Sequence, residues 1–339
     1  MSTLARRTFL RRTALAAPTL LLARKGMAQG PVVIGEGAYK FECHHDWGQL
    51  PDKHTYGGAS HGVALDSAGM VYVTHHGGPG SIFVFDPAGK FVRAMGQIHE
   101  ANGHGIEIRK EGTTEFLYLC SDSDKGFAKM TLSGEVVWQK NAPAESGKYQ
   151  GIKGYRNTNI SFCPDGGFHV GDGYGSSWMH RYDKDANYVN SFGGAGSAPG
   201  QFSTPHGHVL DDRDGTPKLL VADRANKRLQ YFTLDGQHIS ILEGFLFPAD
   251  LDIGPKGELL VPDLHARLTI MDRENKVITQ LGDDPEWRAK ALAGMRGRRN
   301  DWQPGKFVHP HDAKFLPNGD IIVAEWVETG RLTMLKRVS

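Results

Sequence analysis

Apolar residues in this chain gather in short runs that stop at turn residues. Val71-Tyr72-Val73-Thr74 follows Ser67-Ala68-Gly69, and Ile82-Phe83-Val84-Phe85-Asp86 leads into Ala88-Gly89-Lys90. Runs of β-branched and aromatic residues bounded by Gly, Asp and Pro predict strands. The Phe-Asp-x-x-Gly-Lys ending predicts a strand, a tight turn and the start of another strand. The same grammar returns along the chain, in Phe116-Leu117-Tyr118-Leu119, Gly167-Phe168-His169-Val170, Leu219-Leu220-Val221-Ala222-Asp223, Glu258-Leu259-Leu260-Val261 and Ile321-Ile322-Val323-Ala324. One stretch departs from it. Pro285-Glu286-Trp287-Arg288-Ala289-Lys290-Ala291-Leu292-Ala293 favours a short helix. Residues 294–305 then read as loop, an excursion placed to cover one face of the molecule.

A phrase recurs at the start of these units. It reads His61-Gly62-Val63-Ala64-Leu65, then His104-Gly105-Ile106-Glu107-Ile108, then Pro205-His206-Gly207-His208-Val209-Leu210, then Pro310-His311-Asp312-Ala313-Lys314-Phe315. Thr158 and Ala249 hold the equivalent place in two further units. Successive starts lie 43, 54, 48, 43 and 62 residues apart. That period suits four short strands per unit. Radial packing of six such units protects most sheet edges and closes a ring. The expected fold is therefore all-β, a six-bladed β-propeller. Tyr39-Lys40-Phe41-Glu42 is placed to complete the final sheet.

The first residues read differently. Arg6 and Arg7 precede Thr8, Phe9 and Leu10, an apolar stretch follows over 14–23, and Gly26-Met27-Ala28 offers small residues for cleavage. This is the layout of an export signal, and the paired arginines resemble the twin-arginine type. Residues 1–28 are thus expected to be a signal handled by the twin-arginine export machinery. Residues 29–339 are expected to form the propeller, in the periplasm or secreted. The apolar stretch is too short for a stable membrane span. A net charge of +1 gives no basic field for nucleic acid. Three widely spaced cysteines, Cys43, Cys120 and Cys163, form neither a zinc ribbon nor a disulfide framework.

The recurring histidines carry the candidate chemistry. His104, His206 and His311 fall on units two, four and six, so three alternating blades bring imidazoles to one axis. Three nitrogen ligands with an open position is the logic of a catalytic zinc site. His61 occupies the same place in unit one, as a fourth ligand, a proton-transfer group or an axial packing residue. His208 and His309 lie two residues from ligand candidates and are expected near the same mouth. Tyr174, in Asp172-Gly173-Tyr174-Gly175, and Arg224, in Ala222-Asp223-Arg224-Ala225-Asn226, read as a base and a contact for a carboxylate or oxyanion.

This set resembles the NHL-type six-bladed propellers, and its site resembles peptidyl-alpha-hydroxyglycine alpha-amidating lyase. The likeness is densest from Gly171-Asp172-Gly173-Tyr174 through Pro199-Gly200-Gln201-Phe202 and Pro205-His206-Gly207 to Asp223-Arg224-Ala225-Asn226-Lys227-Arg228, and at His311-Asp312. The resemblance implies zinc on His104, His206 and His311, Tyr174 as base, Arg224 on the substrate, and calcium held by Asp312 and the Ile106 carbonyl. Departures accompany it. Ser176-Ser177-Trp178-Met179 replaces the family's asparagine, serine and arginine pattern, His309 stands where the family has methionine, and His61 is an added imidazole. The family's first-blade arginine has no match at Arg93 or Arg156. The expected function is a metal-dependent lyase acting on a small-molecule or peptide substrate of α-hydroxyglycine or hydroxy-acid type. The alternatives are a metal-dependent hydrolase or lactonase, and a non-enzymatic propeller binding peptide or glycan.

Overall fold

The computed structural model describes residues 30–123 and 125–338; the expected signal, residues 1–28, lies outside them. The described residues form six antiparallel sheets in a ring, five with four strands and the last with five. Blade 1 runs Ser60–Leu65, Val71–His75, Ile82–Phe85 and Phe91–Met95 from the axis outward. The innermost strands of the other blades are Gly103–Glu111, Ile160–Phe162, Pro205–Asp211, Asp252–Ile253 and Pro310–Phe315. Among the described residues, no helix is long and apolar enough to cross a membrane.

Burial explains the hydrophobic pattern. Inner and middle strands are covered on both faces by neighbouring blades, so they read as continuous apolar runs instead of alternating. The outermost strand of each blade meets water most, and Val92, Val136, Val189, Ile239 and Val277 remain exposed there. The core is accordingly divided into six wedges, one between each pair of adjacent blades. The wedge between blades 5 and 6, for example, packs Leu260, Leu268 and Ile270 against Ala313, Ile321 and Val323.

The sixth blade closes the ring with both ends of the described chain. Tyr39–His45 pairs antiparallel with Arg331–Arg337, with Phe41 opposite Arg337 and Cys43 opposite Leu335. Val32–Glu36 adds a fifth strand outside it. The expected completion of the last sheet by residues 39–42 is what forms.

A second regularity sits at the mouth end of the middle strands. Asp172, Asp223, Asp263 and Glu325 are fully buried there and accept hydrogen bonds from the backbone N–H groups of the loops. Asp223 and Glu325 also pair with Arg228 and Arg331. These carboxylates fasten the loops that surround the axis. The excursion before blade 6 contains the expected helix, Pro285–Leu292. Asp284 caps it by accepting from the Glu286 and Trp287 N–H groups, and Pro285 opens its first turn. Trp287, Ala291 and Met295 bury against Val308 and Val327 in a small core of their own, and Trp287 Nε1 donates to the Phe307 carbonyl at 2.5 Å. The three cysteines are buried and free.

Candidate metal centre

The histidine phrase owes its glycine to crowding at the axis. The Gly105 N–H donates to the Thr158 carbonyl at 3.0 Å and the Gly207 N–H to the Ala249 carbonyl at 2.8 Å. Adjacent inner strands therefore touch through their backbones. A Cβ on Gly105 would collide with the Thr158 carbonyl oxygen, and one on Gly207 with Asp250. Glycine lets the strands converge, and the histidine before it then reaches the axis.

The imidazoles are oriented by the same contacts. His104 Nδ1 donates to the Thr158 carbonyl at 2.7 Å and His206 Nδ1 to the Ala249 carbonyl at 2.6 Å, with His61 Nδ1 3.4 Å from the Gly103 carbonyl. A proton fixed on Nδ1 leaves the Nε2 lone pair facing the axis, the usual arrangement of a ligating histidine. Burial, the first cause in each case, pushes the proton affinity of all four rings down. His104 falls to about 4, and His61, His206 and His311 fall well below their ordinary value. Near neutral pH they are uncharged, as metal binding requires.

The four rings make two triangles with a common edge. His104 and His311 lie 4.9 Å apart, and His206 stands 4.9 and 4.8 Å from them. His61 stands 4.9 and 4.7 Å from the same pair on its other side. Ligand atoms of His61, His104 and His311 fall within 4.8 Å of one another. His61 is thus inside the cluster, not apart from it. Neither nitrogen of His311 makes a hydrogen bond of regular geometry, although the ring is buried beside the His61 backbone. Such a neutral imidazole among three others fits a transition metal such as zinc.

Tyr174 Oη sits against this cluster, 3.1 Å from His104 Nε2 and 2.9 Å from His206 Nε2, and accepts from Arg224 Nη1 at 3.3 Å. Its loop is held by Asp172, which accepts from the Arg156 and Ser176 N–H groups at 2.7 Å and from Tyr149 Oη at 2.8 Å. His208 and His309 are placed elsewhere. His208 bonds Ser161 Oγ and the Asn159 carbonyl; the pairing register shifts between Pro205 and His208, so simple alternation from His206 fails. His309 Nδ1 bonds the Leu264 carbonyl, with its ring beside Trp326.

On the axis near the histidines lies an oxygen-rich group: Glu107, Asp250, Asp252 and Asp312. Lys314 Nζ bonds Glu107 Oε1 at 2.7 Å and approaches Asp252 Oδ1 at 3.7 Å. Burial raises all four carboxyls, Glu107 to about 7 and Asp312 to about 6. Asp312 Oδ2 accepts from the Val63 N–H, while Oδ1 is buried without a partner. Lys314 answers part of this charge, and among the described residues the four acids do not converge as a metal-holding group, so a hard cation would rest on the open Asp312 oxygen.

Of the four clustered rings, His61 and His311 line a cavity of about 430 Å³, with Tyr174 beside them. Its walls include Arg156, Arg224, Arg296, the pair His76 and Asp122, and the apolar Phe247, Leu264 and Trp326. His76 Nε2 lies 3.2 Å from Asp122 Oδ2, and its ring is 4.0 Å from that of His61. Apart from Arg224, sequence reasoning did not single out these residues for the site. They sit in loops between strands, where no periodicity marks them. The nearest signal was that Arg156 stands two residues before Thr158, the blade 3 counterpart of the histidines.

No family model matches the chain. NHL repeat-containing protein 3 of Homo sapiens is 28% identical over 199 residues, 56% of this chain and 55% of that protein. Peptidylglycine alpha-amidating monooxygenase of Rattus norvegicus is 26% identical over 259 residues, 62% of this chain and 26% of that protein. The chain thus spans about half the length of the first relative and about a quarter of the second. Among solved structures, a gluconolactonase from Xanthomonas campestris superposes with a TM-score of 0.63 at 11% identity, covering 90% of this chain and 94% of that one. A catalytically inactive virginiamycin B lyase from Staphylococcus aureus gives 0.57 at 11%, covering 88% and 100%. At such identities the structural matches speak for the fold alone. With the six-bladed ring, the sequence matches support an NHL-type propeller.

Proposed function

We propose that this chain is an exported, metal-dependent lyase that splits an α-hydroxyglycine-like or other small hydroxy-acid substrate, working in the periplasm or outside the cell. The observation that carries the reading is the buried cluster of neutral histidines, with His311 lacking a regular hydrogen bond and Tyr174 and Arg224 at its edge. His104 and His311 would hold zinc with His206 as the third ligand, His61 being the ring whose ligand atom already converges with theirs, and Asp312 with the Ile106 carbonyl would hold calcium. When bound, zinc supplies Lewis acidity toward a substrate oxygen.

The chain's own groups do the rest. Arg224 holds the substrate carboxylate by charge-assisted hydrogen bonds. Tyr174 Oη receives the hydroxyl proton and delivers it to the leaving nitrogen as the carbon–nitrogen bond breaks and the carbonyl forms. The products from a hydroxyglycine are an amide and glyoxylate, with no water consumed. His61 lies next to the reacting region and contributes to proton movement. The apolar walls exclude water from it.

The His76–Asp122 pair favours a second reading, because a carboxylate-held imidazole beside the cluster can orient a water for hydrolysis of a lactone or ester. The test is metal analysis of purified protein, followed by incubation with N-benzoyl-α-hydroxyglycine. Zinc near one equivalent and release of benzamide with glyoxylate are expected. A folded protein that takes up no metal sinks both readings. Oxygen from labelled water in a newly formed carboxylate, such as benzoate, would favour the hydrolase; the aldehyde oxygen of glyoxylate exchanges with water in either case.

A further inference from the structure

Arg224 is a buried cation with no matching anion. It is 8% exposed, and among the described residues it forms no ion pair. Its guanidinium lies between the rings of Tyr174 and Phe247, 5.1 Å from each, and its Nε has no partner. An uncompensated buried charge is costly, so the site is built to receive an anion. Arg296 is a second cation in the cavity wall, partly exposed and only loosely paired. It stacks 3.7 Å from the Trp326 ring and is pinned by the Gly58 carbonyl at 2.5 Å and the Trp326 carbonyl at 3.3 Å. Its nearest carboxylate, Glu328, is 4.0 Å away and faces solvent. Blade order puts the two cations on opposite sides of the ring. Arg224 follows the second strand of blade 4, while Arg296 comes from the excursion and rests on Gly58, which leads into blade 1.

Arg156 differs from both. Its Nε bonds the Asp122 carbonyl at 2.6 Å, its Nη2 lies 4.0 Å from Asp122 Oδ2, and half of its side chain is in water. Part of its charge is already answered at the rim. Between the two cations stand Phe247, Leu264 and Trp326, which suit a short apolar spacer.

We propose that the cavity takes a small molecule with two separate anionic groups, one seated on Arg224 and the other on Arg296. This deepens the lyase reading, resting on it only for which end of the ligand reacts. A single carboxylate would leave Arg296 with only the solvent-facing Glu328. A phosphate monoester would concentrate both charges at one cation and leave the other unoccupied. Two carboxylates joined by a few carbons match the two cations and the apolar residues of the wall, within a cavity of about 430 Å³.

Matched probes test this directly. Glutarate and its monomethyl ester have the same carbon backbone and differ by one charge. Their binding is measured by calorimetry, alongside adipate and inorganic phosphate, on both zinc-supplemented and chelator-treated protein. The diacid is expected to bind about tenfold or more tightly than the monoester in both states. Arg296→Gln is expected to bring that ratio close to one, with Arg296→Lys restoring part of it if the amide variant folds poorly. A ratio near one in the unaltered protein, a ratio insensitive to Arg296, or phosphate outbinding both diacids overturns the proposal. A preserved ratio in a protein that takes up no zinc even when supplemented sinks the lyase reading instead.

Discussion

At the residue scale the decisive arrangement is the shared edge between two histidine triangles. His104 and His311 belong to both, so replacing either by Ala is expected to abolish metal uptake. His206→Ala should do the same, while His61→Ala should keep the metal and slow turnover. Metal analysis of the four variants reads this, and the reverse result for His61 and His206 would move the ion to the other triangle. Tyr174→Phe removes the proton carrier and not a ligand. It should lower turnover by about 10²–10⁴-fold with metal content unchanged. The histidines were legible because a repeat put them at one position in successive units. Arg296 and Trp326 were not. They reach the cavity from an excursion and a loop, where sequence spacing says nothing about direction.

At the element scale, the inner strands are set by how closely their backbones approach. Gly105→Ala is expected to destabilise the ring and displace His104, because the Thr158 carbonyl cannot retreat without loosening blade 3. A lowered melting temperature together with reduced zinc affinity would show it. Phe41 tests the closing strand. It is fully buried in the wedge between blades 5 and 6, so Phe41→Ala should cost about 3–5 kcal/mol in urea unfolding. Most strands could be read from their apolar runs. The exceptions explain themselves. Asp252–Ile253 is only two residues long, since Ala249 and Asp250 are spent on axial contacts with blade 4. The strand from Pro205 carries a register shift that sends His208 toward blade 3.

At the scale of the whole molecule, burial of many imidazoles makes stability depend on pH. His45, His99, His104 and His169 are all pushed down to about 4, chiefly by burial, from an ordinary 6.5. Below pH 6.5 the unfolded chain gains protons that the folded chain refuses. The histidine contribution should therefore be full above about 6.5 and fall as the pH drops toward 4, by about 1.4 kcal/mol per pH unit for each such histidine, offset in part by the fewer carboxyls that burial raises, Glu107, Asp172 and Asp312 among them. Urea midpoints measured from pH 8 to 4.5 check this; a flat profile across 6.5 to 4.5 would contradict it.

The sixth blade joins residues 39–45 to residues 331–337. That pairing gives the molecule a fixed order of assembly. On the ribosome, the hairpin of residues 32–45 has no blade to join until nearly the whole chain has emerged. Blades 1 to 5 can stack as they appear, but the wall where His61 meets His311 cannot exist before then. The reactive centre is thus the last thing made, and any chain that stops short of residue 331 leaves synthesis with its metal site open.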